Sequence, residues 1–237
     1  MKKHTLLSDL AVFLLIIFLF IVPPFFSSVP LDGSSLFADW SFPWRPLLLA
    51  LLSFALLFFY YDFRGVEKND VKAPVQGMFA LWSKLKVFPV IFTFGMLFSG
   101  SLFIQYFGLA FGLVSDGVSF NHPQGSLQWL FCLLNFVCAA FYEEVLYRFY
   151  FTDELKLLLD HLPASGFKDK SGKWLGLLCE LLGLLCFAFA HLYLGWLSVI
   201  NAAYAHIFLR LCYKKTGKIW PGFTAHFIYN VFSLILL

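Results

Sequence analysis

The sequence has few charged residues for its length. Only 13% of its 237 residues are charged, whereas 60% are hydrophobic. An ordinary soluble domain carries about a quarter charged residues, and so few charges could not cover the surface of a water-soluble fold of this length. The composition therefore excludes an ordinary soluble domain and favours a protein for which the lipid bilayer is the solvent.

Several motifs are also absent, and each absence excludes a class of chemistry. The chain has no Gly-x-Ser-x-Gly elbow for a serine nucleophile and no His-Glu-x-x-His zinc helix. No basic cluster alternates with aromatic residues, so we expect no nucleic-acid partner. No pair of cysteines has the Cys-x-x-Cys spacing, and we expect all five to be small buried apolar residues: Cys132, Cys138, Cys179, Cys186 and Cys212.

Long apolar runs make up most of the chain. A transmembrane helix needs about 17–25 apolar residues, and we predict an all-α fold, a polytopic transmembrane helical bundle of about seven spans (six to eight). The first run ends at Pro23-Pro24 and not at a small-residue cleavage site, so it reads as an uncleaved span. The predicted spans are about 6–27, 46–61, 87–111, 127–150, 174–193, 194–213 and 218–237.

The lysines and arginines fall almost entirely on one side of this arrangement. If alternate connectors lie on opposite sides, Arg45 is on one side and the other 16 of the 17 basic residues are on the opposite side. Positive residues collect in the cytoplasm. We therefore predict a multi-pass protein of the cell's inner or plasma membrane, with a cytoplasmic N-terminus and cytoplasmic loops at 62–86 and 160–173.

Ionisable residues inside a span cost a few kcal/mol each, so they are the first places to look for function. Glu143 and Glu144 follow a nearly uncharged run that is too short to cross the bilayer alone. Glu144 and Arg148 have i, i+4 spacing, which predicts an ion pair on one helical face. Glu143 points elsewhere, and a carboxylate kept from full solvation can act as a base near neutral pH.

Two later spans carry the other polar side chains. His191 ends the segment Phe187-Ala-Phe-Ala-His191, and alone it is more typical of a hydrogen-bonded structural residue. His226 and Asn230 have i, i+4 spacing on the last span, where a patch of interhelical hydrogen bonds is an equal alternative. His4, His122, His161, His206 and Glu180 are expected to be structural or surface residues.

The three segments together form a pattern that is more specific than any one of them. The order Glu-Glu-x-x-x-Arg at 143–148, Phe-x-x-x-His at 187–191 and His-x-x-x-Asn at 226–230 resembles the CPBP family. The stretch 213–221 also resembles that family's approach to its last motif. The family contains the CAAX prenyl endopeptidases and bacterial homologues linked to bacteriocin self-immunity. We expect a catalytic core at 128–237, whereas the helices of 1–127 are not diagnostic.

The resemblance implies an intramembrane endopeptidase that uses a glutamate-activated water. Glu143 would activate the water together with His191, and His226 and Asn230 would form an oxyanion hole. Glu144 and Arg148 would support the site. The implied substrate is a membrane-embedded or lipidated protein or peptide, of which a prenylated CAAX-type protein is one form, and no cofactor or metal is implied.

Three alternatives remain from the residues alone. Glu143, His191 and His226 would also suit a zinc-dependent membrane hydrolase, because three such ligands can hold a catalytic zinc. The same residues would serve a proton-coupled transporter, although the chain shows no inverted repeat. A non-catalytic immunity or scaffold protein is the third alternative.

Overall fold

The computed structural model describes residues 6–26, 40–63, 87–113, 121–160 and 173–236. Within them the chain forms seven helices and no strand, so the predicted all-α fold is confirmed. The helices are α1 (Leu6–Ile16, continued by Ile17–Ile21 and Val22–Phe25), α2 (Trp44–Phe63), α3 (Val87–Ala110), α4 (Gly125–Asp160), α5 (Lys173–Phe189), α6 (Trp196–Thr216) and α7 (Trp220–Leu236).

Each predicted span corresponds to one of these helices, although the bounds differ. The largest difference is in α4, which does not stop near residue 150 but continues to Asp160 as one helix. Among the described residues, three helices are long and apolar enough to cross a membrane by themselves, namely Leu7–Phe25, Val87–Ala110 and Gly125–Asp160. The predicted cytoplasmic loops, 62–86 and 160–173, lie almost entirely outside the described residues.

The helices pack as a bundle in which α4 and α6 contact most of the other helices. The N-terminal part of α4 packs against α2 and α7, and its C-terminal part packs against α5 and α1. Helix α3 packs against both α6 and α7, and α5 packs against α6. In a bilayer such contacts depend on close van der Waals packing and interhelical hydrogen bonds, because lipid tails are as apolar as the side chains.

The middle of α4 is π-helical from Glu144 to Tyr150, and all seven of these residues are buried. Phe13 and Phe20 of α1 and Phe187 of α5 pack against this segment in the largest apolar cluster of the described chain. Single π-helical turns inside α-helices often occur at functional sites. The most buried part of the bundle therefore carries charged residues in an irregular stretch of helix.

The turn between α6 and α7 is set by local sequence. Helix α6 ends at Gly217, which adopts a left-handed conformation (φ 63°) and bonds its N–H to the carbonyl of Tyr213. Glycine adopts this conformation without steric cost, which makes it a common helix terminator. Helix α7 begins at Trp220, and Pro221 in its first turn needs no backbone donor. This tight turn brings the start of α7 next to the end of α6.

Candidate active site

Glu144 and Arg148 form the charged centre of the π-helical segment. Arg148 Nε lies 3.4 Å from Glu144 Oε1, and the side chains are 0% and 1% exposed. The predicted i, i+4 pair is therefore present, as an ion pair and not as an aligned hydrogen bond. Such a pair offsets part of the cost of burying two charges.

His226 of α7 lies between the two glutamates. Its Nδ1 is 3.1 Å from Glu144 Oε1, and its Nε2 is 3.8 Å from Glu143 Oε2. Because an ionised carboxylate can only accept hydrogen bonds, Nδ1 donates to Glu144, and Nε2 is directed toward Glu143. The sequence predicted His226 as a partner of Asn230; the structure also makes it a partner of both glutamates.

Glu143 differs from Glu144 in its partners. Its Oε2 is buried and has no hydrogen-bond partner among the described residues. Its side chain is 13% exposed, compared with 1% for that of Glu144. The two neighbouring carboxylates thus differ: Glu144 is held in the predicted ion pair with Arg148, and Glu143 is more exposed and has one oxygen without a hydrogen bond.

His191 follows the C-terminal end of α5, and its Nδ1 donates to the carbonyl of Phe187 at 2.8 Å. The rings of Phe187 and Tyr147 are in contact, with centroids 5.1 Å apart. Helices α4 and α5 run in opposite directions. Glu143, four residues before Tyr147, therefore lies at about the same height along the helix axis as His191, four residues after Phe187. This register brings His191 to the level of Glu143, although the two side chains form no hydrogen bond or ion pair with each other.

Asn230 lies one turn after His226 on α7 and is half-buried. Its side chain forms no hydrogen bond with another described residue. The interhelical hydrogen bonds that the sequence suggested for this face occur at His226, which bonds to Glu144, and at the neighbouring Tyr229. Asn201 donates to the Tyr229 hydroxyl at 2.7 Å, and that hydroxyl donates to Ser101 at 3.0 Å. Helices α3, α6 and α7 are thereby joined beside the site.

Gly222 makes room for the Glu144 carboxylate. A Cβ at this position would lie 2.8 Å from Glu144 Oε2 and 3.8 Å from Leu209. Gly222 and His226 are one turn apart on α7, so both face the same carboxylate. The sequence reasoning missed this residue, because a glycine near a helix start usually signals only a turn.

Two residues of α6 that were given no role by the sequence also belong to the buried site. His206 is 2% exposed, and its Nδ1 is 2.8 Å from Arg148 Nη1. One turn later, Arg210 bonds to both carboxylate oxygens of Glu180, to Asp153 and to the backbone carbonyl of Arg148. His206 is thus part of a buried network to which the partly exposed Glu180 also belongs, and both have structural roles of the kind that the sequence suggested.

The structure also bears on the zinc alternative. Among the described residues, no three His, Cys, Asp or Glu side chains are gathered in a way that could hold a metal ion. The arrangement of Glu143, His191 and His226 therefore gives no support to that alternative.

Comparison with known proteins concerns the same part of the chain that builds this site. Residues 125–232 match the family described as Rce1-like, type II CAAX prenyl endopeptidase Rce1-like. No curated protein and no solved structure matches the chain. The match begins at the first residue of α4 and extends to α7, so it includes both glutamates, Arg148 and all the site histidines. Its apolar helical bundle is that of an integral membrane protein, and over residues 125–232 the chain is similar to the Rce1-like family of proteases.

Proposed function

We propose that this protein is an intramembrane endopeptidase that hydrolyses a peptide bond with water activated by Glu143. The substrate is a membrane-associated protein or peptide. A prenylated CAAX-type C-terminus is the candidate suggested by the description of the matching family.

Peptide hydrolysis needs a base for water, donors for the developing oxyanion and a proton for the leaving amine. In the proposed reaction Glu143 takes a proton from water while the water oxygen bonds to the carbonyl carbon. Asn230 and His226 donate hydrogen bonds to the oxyanion, for which His226 must carry a proton on Nε2 as well as on Nδ1, and His191 holds the attacking water. The carbon–nitrogen bond then breaks, and the amine receives the proton that Glu143 took.

The observation that supports this proposal is the contrast between the two glutamates. Glu144 Oε1 lies 3.4 Å from Arg148 Nε and 3.1 Å from His226 Nδ1. Glu143 has a buried oxygen without a hydrogen-bond partner, on the side where His226 Nε2 lies. A carboxylate held in this way is suited to remove a proton from a small molecule such as water.

The test uses the purified protein in lipid nanodiscs with a fluorogenic peptide that ends in a farnesylated CAAX sequence. Glu143→Gln should abolish cleavage while the melting temperature stays close to that of the wild type, because glutamine is nearly isosteric with glutamate. Asp160→Asn is the matched control, since it removes an exposed carboxylate from the end of the same helix. Full cleavage by Glu143→Gln would end the glutamate mechanism.

Chelators separate the proposal from the zinc alternative. EDTA and phenanthroline should have little direct effect on the rate, because no step of the proposed reaction involves a metal. Reversible loss of activity with chelator, restored by added zinc, would favour the zinc hydrolase instead.

A further inference from the structure

The protonation of His206 follows from its partner. A guanidinium group has only hydrogen-bond donors, so His206 Nδ1, 2.8 Å from Arg148 Nη1, must act as the acceptor. The ring is therefore neutral and carries its proton on Nε2. His206 is thus a specific acceptor for Arg148 in the interior of the bundle.

Three contacts from three helices fix the Arg148 side chain. Nη1 donates to His206 of α6, and Nε lies 3.4 Å from Glu144 of α4. The face of the guanidinium lies over the Phe187 ring of α5, with 4.1 Å from Cζ to the ring centroid. Because the group is planar, a contact at its edge and another on its face determine its orientation.

Arg210 holds the backbone of the same residue. Its Nη1 donates to the carbonyl of Arg148 within the π-helical segment, while its remaining nitrogens bind Glu180 and Asp153. Lys214 also binds Glu180, at 2.7 Å. Arg210 is buried, and Glu180 anchors it to α5, so the carbonyl of Arg148 is held by a group that itself cannot move freely.

We propose that His206 and Arg210 are positioning residues for the active site. His206 and Arg210 are one turn apart on α6 and hold the side chain and the backbone of Arg148, which in turn holds Glu144. Glu144 accepts the Nδ1 proton of His226 and so directs Nε2 toward Glu143. This inference rests on the proposed function. In it, two residues of α6 orient the groups of α4 and α7 that act on the substrate.

The test replaces His206 and measures how far kcat and KM for the farnesylated fluorogenic peptide each change. His206→Phe keeps an aromatic ring but removes the acceptor. We expect kcat to fall by about 10- to 100-fold, by analogy with the loss of groups that orient the ligands of metal sites. KM should change less than about twofold, because His206 does not touch the substrate. Tyr204→Phe on the same helix is the matched control and should keep the wild-type kcat.

Two further variants distinguish positioning from general support of the fold. Asparagine places its carbonyl oxygen near the position of Nδ1, whereas glutamine places its amide near Nε2. His206→Asn should therefore restore most of the lost kcat, and His206→Gln should not. Equal activity of the two variants, or an unchanged kcat in His206→Phe, would overturn the proposal.

The two proposals can fail separately. If the wild type does not cleave the peptide, the proposed function fails for that substrate, and the His206–Arg148 contact is tested by thermal unfolding. His206→Phe and Arg148→Lys should then have non-additive effects on the melting temperature, as residues in contact do. Additive effects would overturn the positioning role.

Discussion

Nδ1 of His226 lies 3.1 Å from Oε1 of Glu144, although the two residues are 82 positions apart in the chain. This contact joins the last helix to the centre of α4 and fixes the direction of the imidazole ring. As a result, the other ring nitrogen lies on the side of Glu143, at 3.8 Å. The paired glutamate thus orients a histidine toward the second glutamate, Glu143.

Gly222→Ala should disturb this contact. The new methyl group would lie 2.8 Å from Glu144 Oε2, so either the carboxylate or α7 must shift. We expect activity to fall by about tenfold or more, because a displacement of about 1 Å can cost about 100-fold. Gly95→Ala, in α3, is the matched control, since no neighbouring group lies within 4 Å of the added carbon. Activity assays of both purified variants test this, and wild-type activity of Gly222→Ala would contradict the close contact.

Arg148→Ala should lower the amount of protein as well as its activity. It leaves the Glu144 carboxylate, which is 1% exposed, without its cation, and breaking a buried pair in this way typically costs about 3–5 kcal/mol. The level in membranes and the melting temperature in detergent measure the effect. Arg45→Ala removes an exposed arginine and should accumulate normally. A normal level and melting temperature for Arg148→Ala would show that the ion pair does not stabilise the fold.

Asn230→Ala should leave a weak but measurable activity. Loss of one oxyanion donor typically lowers kcat about 10²–10³-fold, and the half-buried Asn230 side chain has no hydrogen bond to the described chain that its loss would break. Single-turnover rates with the farnesylated peptide are the measurement. A rate within about twofold of wild type would remove Asn230 from the proposed oxyanion hole.

His191→Ala should have nearly the same effect as Glu143→Gln. If the two residues act on one water molecule, the double variant should be no slower than either single variant, because effects within a functional unit are not additive. Rates of the three variants, measured side by side, test this prediction. If the rate of the double variant is reduced by the product of the two single reductions, His191 acts in a separate step.

The topology can be tested with single cysteines at exposed positions. Asp160→Cys and Lys218→Cys should react with a membrane-impermeant maleimide only after the cells are opened, because the distribution of basic residues predicts that both positions are cytoplasmic. His122→Cys should react in intact cells. The native cysteines are free, but four are buried and one is half-buried, so a cysteine-less background is the control. Labelling of Lys218→Cys in intact cells would reverse the predicted orientation.

The sequence by itself determined the features that depend on composition or on one helix. The scarcity of charge predicted a helical membrane bundle, and i, i+4 spacing predicted the pair of Glu144 and Arg148, because both residues lie on one helical face. The left-handed Gly217 and the early Pro221 likewise follow from local backbone preferences. The pattern of the three polar segments was enough to recognise the resemblance to a protease family, and a family model matches the same part of the chain.

Only the tertiary structure decided which helices meet and at what height. The sequence around a single histidine in an apolar helix does not show which residue the histidine bonds to. The contact of His206 with Arg148 depends on how α6 packs against α4. The contact of His226 with both glutamates depends equally on the close approach of α7, which Gly222 allows. Contacts between helices depend on how all the side chains between them pack, and residue spacing along one chain does not contain that information.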